Sequence, residues 1–462
     1  MKIEYLRKSI DGIDDNILKL LKKRMKIAML IGRMKSEMNE DIYIPRRENE
    51  ILNRLLKNNR GGLQQDALIA IFQNILNASR ALQKSPAADN GVNPRAGMNR
   101  LARKAVLNFE LYIPGKPIEE VKMEYRLKKV YKLASNENPE GPSKKAINAM
   151  IAALGGVNRY PDGEAYYLKN ALAKSIKIAA SNIILGSGTD ELIEIIGKAF
   201  LEPQDEIVIS RHAFIRYKMI GDLMGCRVRV IPMKKLKHDL KAMKKAITGR
   251  TKVVFIANPN NPTGTYVSSS EVAEFMKGMK EKNILVVFDE AYKEYVCEKD
   301  YPETVKYVRD GYPVIVLRTF SKIYSLAGLR AGYGISGENI INVMNRIRPP
   351  FNVNSVAQAA AIASLNDSLR VEKYRRLAFN EKIKLQNALE KSGIEFLPSA
   401  ANFILIKVGN GRKVFNSLLR KGIIVRAMEE YELPEYIRVT IGLPEENKLF
   451  LKALKEVINE KN

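Results

Sequence analysis

The feature that most constrains the fold is a series of short apolar runs that alternates with helical stretches from Asn182 onward. Most runs are rich in Val and Ile, as expected of strands that are buried on both faces. The seven runs are NIIL (182–185), EIVI (206–209), RVRVI (227–231), KVVFIA (252–257), ILVVF (284–288), VIVL (314–317) and GYGI (332–335). The alternation predicts an open, mostly parallel sheet with helices on both faces. Ligands of such sheets bind beyond the carboxyl ends of the strands.

Polar residues stand at those carboxyl ends. GSGTD (186–190) follows the first strand and opens a helix, whose free backbone N–H groups suit a phosphate. Asn261 follows the fourth strand, Asp289 and Tyr292 follow the fifth, and Lys322 follows the sixth. Each motif alone is weak, but four of them at neighbouring strand ends predict one site.

Lys322 lies in TFSKIYSLAGLR (319–330), which has two hydroxyls just before the lysine and an arginine eight residues after it. A lysine whose pKa is lowered by its surroundings can form a Schiff base with a carbonyl. Thr319, Ser321 and Arg330 could hold a phosphate beside it. The stretch alone fits a basic strand-to-helix turn equally well, and the neighbouring motifs favour a pyridoxal-phosphate site.

Length and composition limit the number of domains and the classes of protein to which the chain can belong. With 462 residues, the chain is long enough for two or three domains. We expect a cytoplasmic protein without a membrane span, because the first residues lack a signal-peptide core and no apolar run is long enough to cross a bilayer. Two distant cysteines and two histidines give no reason to expect a disulfide or a metal site.

The net charge of +26 has two interpretations. A nucleic-acid-binding protein would carry such a charge. Here the basic residues are spread along the chain among acids, which favours a lysine-rich surface with sites for small anions. We therefore expect no nucleic-acid partner.

The N-terminal region has a different pattern, an apolar stripe at helical spacing over residues 2–38. Its members are Leu6, Ile10, Ile13, Ile17, Leu20, Leu21, Ala28 and Ile31. Arg24 and Lys35 interrupt the middle of this stripe, and Arg7 lies at its edge. Buried cations need anionic partners, so they either pair with acids of the same bundle or hold a bound anion.

Two further helices are predicted, from Pro45 through Leu56 and over about Gln65–Lys84. Arg47 and Glu48 fall in the first turn of the former. Ser79 and Gln83 lie on the apolar stripe of the latter, at i, i+4 spacing. Three helices of such unequal length cannot bury their stripes alone, which predicts an intertwined dimer.

Residues 3–84 resemble the all-helical chorismate mutase family. The matching segments are LRKSIDGID with Arg7, LLKKR with Arg24, IGRMK with Lys35, PRRE with Arg47 and Glu48, and FQNILNASRALQ with Ser79 and Gln83. One family position that is often acidic is Ile44 here. A plain dimerisation bundle is the alternative, but it does not explain so many polar residues on apolar faces.

The resemblance implies that chorismate binds and rearranges to prephenate, a reaction that needs a held conformer and a stabilised ether oxygen. Arg24 of one subunit and Arg7 of the partner subunit would bind the carboxylates of chorismate, and Ser79 would contact one of these carboxylates. Lys35 and Gln83 would face the ether oxygen and Glu48 the hydroxyl, while Arg47 would support the site.

Residues 106–462 resemble aminotransferases of the aspartate aminotransferase fold, closest to the histidinol-phosphate branch. The resemblance is carried by KLASNENPEGPS and by the strand-end motifs above. It implies pyridoxal phosphate as cofactor, with Lys322 as the covalent attachment point and proton carrier and Asp289 beside the ring nitrogen. Tyr292 and Asn261 would contact the phenolic oxygen, and Phe214 would stack on the ring.

The same resemblance implies further contacts. The phosphate would be surrounded by Gly188, Thr189, Asp190, Ser321 and Arg330, with Thr319 close by. Tyr160 would reach the phosphate of a neighbouring subunit, so a homodimer is again expected, and His212 would pack near the ring. Tyr112 would contact substrate.

The C-terminal hundred residues predict a smaller α/β domain with strands NFILIK (402–407), GIIVR (422–426) and YIRVTIG (436–442). In the resemblance, Arg438 grips the anionic end of the substrate, and Arg426 is a possible second grip. The predicted organisation is thus a three-helix mutase domain (1–84), a linker (85–105) and an aminotransferase (106–462). The last has a large domain (about 135–350) and a small one (about 106–134 with 351–462).

The fusion predicts that both activities share a pathway. We expect prephenate, phenylpyruvate or 4-hydroxyphenylpyruvate as amino acceptor and glutamate or aspartate as donor. The local motifs leave histidinol-phosphate aminotransferase open as the alternative. Two more distant alternatives are an aminotransferase-like transcription regulator and a mutase domain that senses an aromatic amino acid.

Overall fold

A computed structural model of the chain describes residues 3–37, 45–59, 63–84, 101–107, 109 and 116–459. The chain divides into two compact units, Met1–Leu107 and Asn108–Asn462. The predicted linker lies largely outside the described residues, and the predicted domain boundaries stay predictions. Within the described residues, no helix combines the length and the apolar character needed to cross a membrane.

The first unit is helical, as predicted. Its helices are α1 (Ile3–Glu37), α2 (Pro45–Asn58), α3 (Gln65–Lys84) and the single turn α4 (Lys104–Leu107). Both α1 and α2 contact α3. The buried apolar residues include Ala28, Leu68 and Leu76. Most of the α1 stripe remains exposed, with Ile10 at 57% and Ile13 at 58%, so this unit leaves a long apolar face uncovered.

The second unit is built on a seven-stranded sheet whose strands match the seven predicted runs to within about two residues. The strands are β2 (Ile183–Gly186), β3 (Glu206–Ser210), β4 (Arg227–Ile231), β5 (Thr251–Ala257), β6 (Leu285–Asp289), β7 (Val314–Thr319) and β8 (Gly332–Ser336). Their order is β2-β8-β7-β6-β5-β3-β4. Strands β3 to β7 pair in parallel, and β8 runs antiparallel to β2 and β7. The predicted mostly parallel sheet is confirmed.

Alternation along the central strands explains why they are apolar throughout. Val254 and Ile256 of β5 face one buried cluster, and Val253 and Phe255 face another on the opposite side. A strand covered on both faces has no solvent side, so it reads as a continuous apolar run. The sheet therefore forms a rigid platform whose carboxyl edge can hold a site.

A smaller domain follows the large sheet. Its four-stranded antiparallel sheet has the order β12-β13-β10-β9, and a separate parallel pair joins β1 to β11. These strands are β1 (Tyr131–Lys132), β9 (Phe396–Leu397), β10 (Phe403–Lys407), β11 (Ile423–Ile424), β12 (Arg426–Ala427) and β13 (Tyr436–Thr440). The predicted single strand GIIVR is therefore wrong in one respect, since its two halves pair with different elements.

The remaining helices surround these sheets. They are α5 (Ile118–Tyr125), α6 (Lys144–Leu154), α7 (Tyr166–Ile176), α8 (Thr189–Phe200), α9 (Ile215–Met224), α10 (Leu240–Lys245), α11 (Ser269–Met276), α12 (Val305–Arg309), α13 (Glu338–Asn345), α14 (Ser355–Leu365), α15 (Ser368–Lys391), α16 (Gly411–Arg420) and α17 (Pro444–Asn459). Helices α8 and α9, which contact strands β2 and β3 respectively, start at the carboxyl edge of the sheet. Both helix starts contribute to the site.

Candidate active site

A cavity of about 260 Å³ lies at the carboxyl ends of β5, β6 and β7. Ten residues singled out in the sequence line it: Thr189, Asp190, Phe214, Asn261, Asp289, Tyr292, Thr319, Ser321, Lys322 and Arg330. Ser135, Glu137 and Tyr217 line it as well, together with Ala257, Pro259, Ala291 and Ala327. The strand-end motifs thus converge on one cavity.

Lys322 lies in the turn just after β7 and is only partly exposed. Its Nζ donates to the backbone carbonyl of Ser135 at 3.0 Å and lies 5.8 Å from the centre of the Tyr292 ring. Burial lowers the pKa of Lys322 to about 8, and the nearby cations Arg438 and Arg330 also lower it. The amine is therefore partly neutral near physiological pH, which is the nucleophilic form.

Asp289 is the last residue of β6 and is buried. Its carboxylate accepts hydrogen bonds from the Tyr217 hydroxyl at 2.7 Å and from the backbone N–H of Ala291 at 3.1 Å. Burial raises the pKa of Asp289 to about 6. No described cation forms an ion pair with this carboxylate. A buried anion on a cavity wall fits a ligand that brings a positive charge, such as a protonated ring nitrogen.

The start of α8 forms the second part of the site. Gly188 precedes the helix with φ +80°, and a Cβ built on it would stand 2.6 Å from Nη2 of Arg330. Only glycine allows the arginine to lie so close to this backbone. Helix N-termini present free N–H groups to anions, and Ser321 and Arg330 lie on the same cavity. The group of residues fits a phosphate.

The carboxylate of Asp190 does not face the proposed phosphate position as a free anion. Its two oxygens lie 3.9 Å from Nη2 of Arg330 and 3.6 Å from Nε of Arg216. Thr319 is also engaged, since its hydroxyl accepts from the Ser321 backbone N–H at 3.0 Å and donates to the Ala331 carbonyl at 3.3 Å. Asp190 and Thr319 therefore contact neighbouring groups of the site and also line the cavity.

The opposite wall carries polar groups from both sheets. The Tyr292 hydroxyl accepts a hydrogen bond from the Asn136 side chain at 2.9 Å. Arg438, on β13, is buried and donates to the Asn261 side-chain oxygen and to the Ala134 carbonyl. Its guanidinium lies 5.4 Å from the centre of the Phe403 ring. The small domain thus brings one arginine into contact with Asn261 of the cavity wall.

Besides Gly188 and Arg438, three described residues considered in the sequence do not line the cavity. Tyr160 is 82% exposed and stacks on Phe351 at 4.8 Å between ring centres. His212 donates from Nδ1 to the Tyr431 carbonyl at 2.7 Å, which fits its predicted packing role. Arg426 is ion-paired with Glu430, and Tyr112 lies outside the described residues.

Sequence reasoning missed two hydrogen-bonding partners, Tyr217 and Asn136. Tyr217 lies three residues after Phe214, on the same side of the start of α9, and that spacing was an available signal. Asn136 belongs to the polar run SNEN, in which no residue had been given a role. Each partner is distant along the chain from the side chain it contacts.

The helical unit has its own group of polar residues. Arg24 donates to the Ser79 hydroxyl, which joins α1 to α3, and burial lowers the pKa of Arg24. Lys35 and Glu48 are partly buried. The structure therefore brings Arg24 and Ser79 together.

Two other predicted mutase residues are exposed in the single chain. Arg7 is exposed on α1. Arg47 is exposed too and pairs with Glu50 at 3.1 Å. The side chain of Gln83 lies outside the described residues.

The fold and the site of the second unit define a pyridoxal-phosphate-dependent aminotransferase. Residues 128–454 match the family described as aminotransferase class I and II, and residues 6–84 match the family described as chorismate mutase type II. The chain belongs to the aminotransferase class I and II family, and it joins to that enzyme a chorismate mutase domain. The predicted cofactor and the two predicted enzyme activities are confirmed.

Individual relatives agree with this assignment. The chain is 46% identical to histidinol-phosphate aminotransferase of Moorella thermoacetica over 358 residues, which cover 77% of this chain and 92% of the relative. It is 44% identical to histidinol-phosphate aminotransferase 1 of Nitrosococcus oceani, covering 78% of this chain and 98% of that protein. The crystal structure of histidinol-phosphate aminotransferase from Sinorhizobium meliloti with pyridoxal-5'-phosphate superposes with a TM-score of 0.71. That match has 28% identity and covers 82% of this chain and all of the other.

Proposed function

We propose that the chain converts chorismate to prephenate in its helical unit and transfers an amino group to prephenate or to an aromatic 2-oxo acid in its second unit. Phenylpyruvate and 4-hydroxyphenylpyruvate are the oxo acids meant, and glutamate or aspartate is the donor. The observation that carries the proposal is the presence of a chorismate mutase domain on the same chain. Its product is either the amino acceptor itself or the precursor of one.

In the second unit, Lys322 holds the cofactor and then moves the proton at the substrate α-carbon. Bound pyridoxal phosphate supplies an electron sink for the charge left there. The lowered pKa of Lys322 suits both tasks, because the neutral amine is the nucleophile and the base. Asp289, held by Tyr217, keeps the ring nitrogen protonated, and Arg438 orients the carboxylate of the substrate.

The other cofactor contacts are assigned by position on the cavity. The start of α8, Ser321 and Arg330 hold the phosphate, Phe214 covers a ring face, and Tyr292 and Asn261 face the phenolic oxygen. We also propose that Tyr160 acts in the cavity of a partner subunit, which accounts for its exposure in a single chain.

In the helical unit, Arg24 and Ser79 bind a carboxylate of chorismate. Lys35, Glu48 and Gln83 contact the remaining oxygens, and Arg47 supports them. Arg7 is supplied by a second copy of the chain, since the exposed apolar face of α1 needs a partner. Free cysteines at Cys226 and Cys297 fit a cytoplasmic enzyme.

Steady-state kinetics test the amino acceptor. Prephenate, phenylpyruvate, 4-hydroxyphenylpyruvate and imidazole acetol phosphate are compared, each with glutamate and with aspartate. We expect at least one of the first three to exceed imidazole acetol phosphate in kcat/KM by about tenfold or more, equivalent to about 1.4 kcal/mol. Inactivity with all three, together with turnover of imidazole acetol phosphate, would contradict the proposal.

Histidinol-phosphate aminotransferase is the second candidate. Several relatives more than 40% identical over most of their length carry that name. A chain with that activity must hold a phosphate monoester at Arg438, where the first candidate holds a carboxylate. The charge around Arg438 therefore bears on the choice.

A further inference from the structure

Two arginines lie side by side near the substrate cavity. Strand β12 pairs with β13 so that Arg426 is opposite Arg438. Directly opposed residues of antiparallel strands place their side chains on the same face, about 5 Å apart. Arg438 reaches the cavity wall through Asn261. Two unopposed guanidinium groups at this distance would suit a phosphate monoester, which carries a charge near −2.

Arg426, however, is already held by an acid of its own domain. Its Nε donates to Oε1 of Glu430 at 3.0 Å, and its Nη2 donates to Oε1 at 2.6 Å and to Oε2 at 2.7 Å. Both side chains are mostly shielded from water, with 15% and 26% of their surface exposed. A partly shielded pair is screened less than a fully exposed pair, so the hydrogen-bonded Glu430 offsets charge on Arg426.

Three other acids near this wall, among the described residues, are engaged elsewhere. Glu429, in the same short turn (Glu429–Tyr431) as Glu430, binds Arg412. Glu137 lines the cavity and pairs with Lys132 at 2.9 Å. Glu432 lies 3.6 Å from Arg211. Among the described acids of this turn, Glu430 is therefore the one whose charge acts on the arginine beside Arg438.

We propose that Glu430 determines substrate specificity by neutralising Arg426, so that the anion subsite at Arg438 takes a monoanionic carboxylate in preference to a phosphate monoester. The inference rests on the proposed function and names the chemical class that the second site accepts. Arg438 alone supplies a bidentate partner for a carboxylate. A phosphate monoester leaves its second charge without a partner.

The test uses full-length holoenzyme in single-turnover half-reactions, followed by cofactor absorbance. Phenylalanine and glutamate are the carboxylate substrates, and histidinol phosphate is the phosphate substrate. Glu430→Gln should raise the efficiency with histidinol phosphate, relative to each carboxylate substrate, by about 10- to 100-fold, the range for one gained charge-assisted hydrogen bond. Glu429→Gln, a change one residue away that releases Arg412 instead, should leave the ratio unchanged.

A second variant shows whether the effect passes through Arg426. In the double variant Glu430→Gln/Arg426→Met, the gain for histidinol phosphate should disappear, because no additional cation is released. Calorimetric titration of the holoenzymes with inorganic phosphate gives a readout apart from turnover. The dissociation constant of inorganic phosphate should fall in Glu430→Gln and return to the wild-type value in the double variant.

The outcomes separate this inference from the proposed function. An unchanged ratio in a folded Glu430→Gln holoenzyme, or a gain that persists without Arg426, overturns the role of Glu430. Wild-type inactivity toward prephenate and the aromatic oxo acids contradicts the proposed acceptor instead. In that case the ratio of the half-reaction efficiency with glutamate to that with histidinol phosphate still tests the role of Glu430.

Discussion

At the scale of single residues, the site holds a carboxylate, Asp289, whose charged form is disfavoured by the folded chain when no ligand is bound. Asp289 is buried beside the Tyr217 hydroxyl, and its raised pKa shows that the surroundings favour the neutral acid. Between pH 3.8 and about 6, the folded chain binds more protons at this residue than the unfolded chain does. The free energy of unfolding therefore falls as pH rises through this interval.

A substitution of Asp289 measures how much its buried charge lowers the free energy of unfolding. The shift of about two units corresponds to about 3 kcal/mol, at 1.36 kcal/mol per unit. In the cofactor-free protein, Asp289→Asn should raise the free energy of unfolding at pH 7.5 by about this amount, and the gain should shrink toward zero near pH 4. Urea unfolding at both pH values measures it. The same variant should lose amino transfer, since the ring nitrogen lacks its anionic partner.

The exposed carboxylate of Glu281 offers a control. Glu281→Gln should leave the pH profile of stability as it is in the wild type. A destabilised Asp289→Asn at pH 7.5, or a gain of equal size at both pH values, would contradict the assignment of the cost to a buried charge.

At the scale of elements, α1 leaves most of its apolar stripe exposed. Ile10, Ile13, Ile17 and Leu20 are each about half exposed or more. A 35-residue helix is about 50 Å long, and α3, with 20 residues, cannot cover it. We expect a second copy of the helical unit to bury this face and to bring Arg7 to the mutase site.

Two aspartate substitutions on opposite sides of α1 distinguish a covered face from a solvent face. Ile13 lies on the apolar stripe, and Lys22, nine residues further on, points the opposite way at 100° per residue. Ile13→Asp should reduce mutase activity at least about tenfold, because a buried unpaired carboxylate costs more than about 1.4 kcal/mol. Lys22→Asp should spare it. Equal mutase activities in the two variants would mean that the face is not covered in the active enzyme.

How far the sequence predicts each element depends on where its partners lie. Strands β3, β5, β6 and β7 are almost entirely buried, so their own composition marks them. The segment GIIVR is different, since Ile423–Ile424 pairs with β1 and Arg426–Ala427 pairs with β13. No local pattern can show which of two distant strands each half will join.

The same limit applies to the site. Lys322, Asp289 and Asn261 were predicted because strand ends of one parallel sheet converge at one edge. Asn136 meets Tyr292 from 156 positions away, and Tyr217 meets Asp289 from 72 positions away. The pairing of Arg426 with Glu430 is close in sequence, yet the spacing alone cannot tell whether the arginine binds an acid of the chain or a substrate.

At the scale of the whole molecule, two compact units carry two chemistries. We expect the units to work independently. Lys322→Ala should lower amino transfer by roughly 100-fold or more, because it removes the covalent attachment and the proton carrier, and it should leave mutase activity intact. Arg24→Ala should do the reverse, with a mutase loss also of about 100-fold or more. Both activities are measured on each purified variant.

Conservative replacements sharpen this comparison. Lys322→Arg keeps the cation without a usable nucleophile, so it should be as inactive in amino transfer as Lys322→Ala. Arg24→Lys keeps the charge without the planar fork and should recover only part of the mutase activity. Loss of both activities in a folded single variant would mean that the units depend on each other.

The pairing of β1 with β11 has a consequence for the order in which the enzyme matures during synthesis. The cavity wall at Ser135 and Asn136 directly follows β1, but it is held in place by late residues. The Leu133 N–H donates to the Ile424 carbonyl, and the Asn136 N–H donates to the Thr440 hydroxyl. A nascent chain that already contains Lys322 and Asp289 therefore still lacks a closed cavity. The last strands to leave the ribosome complete the wall that the first strand of the second unit begins.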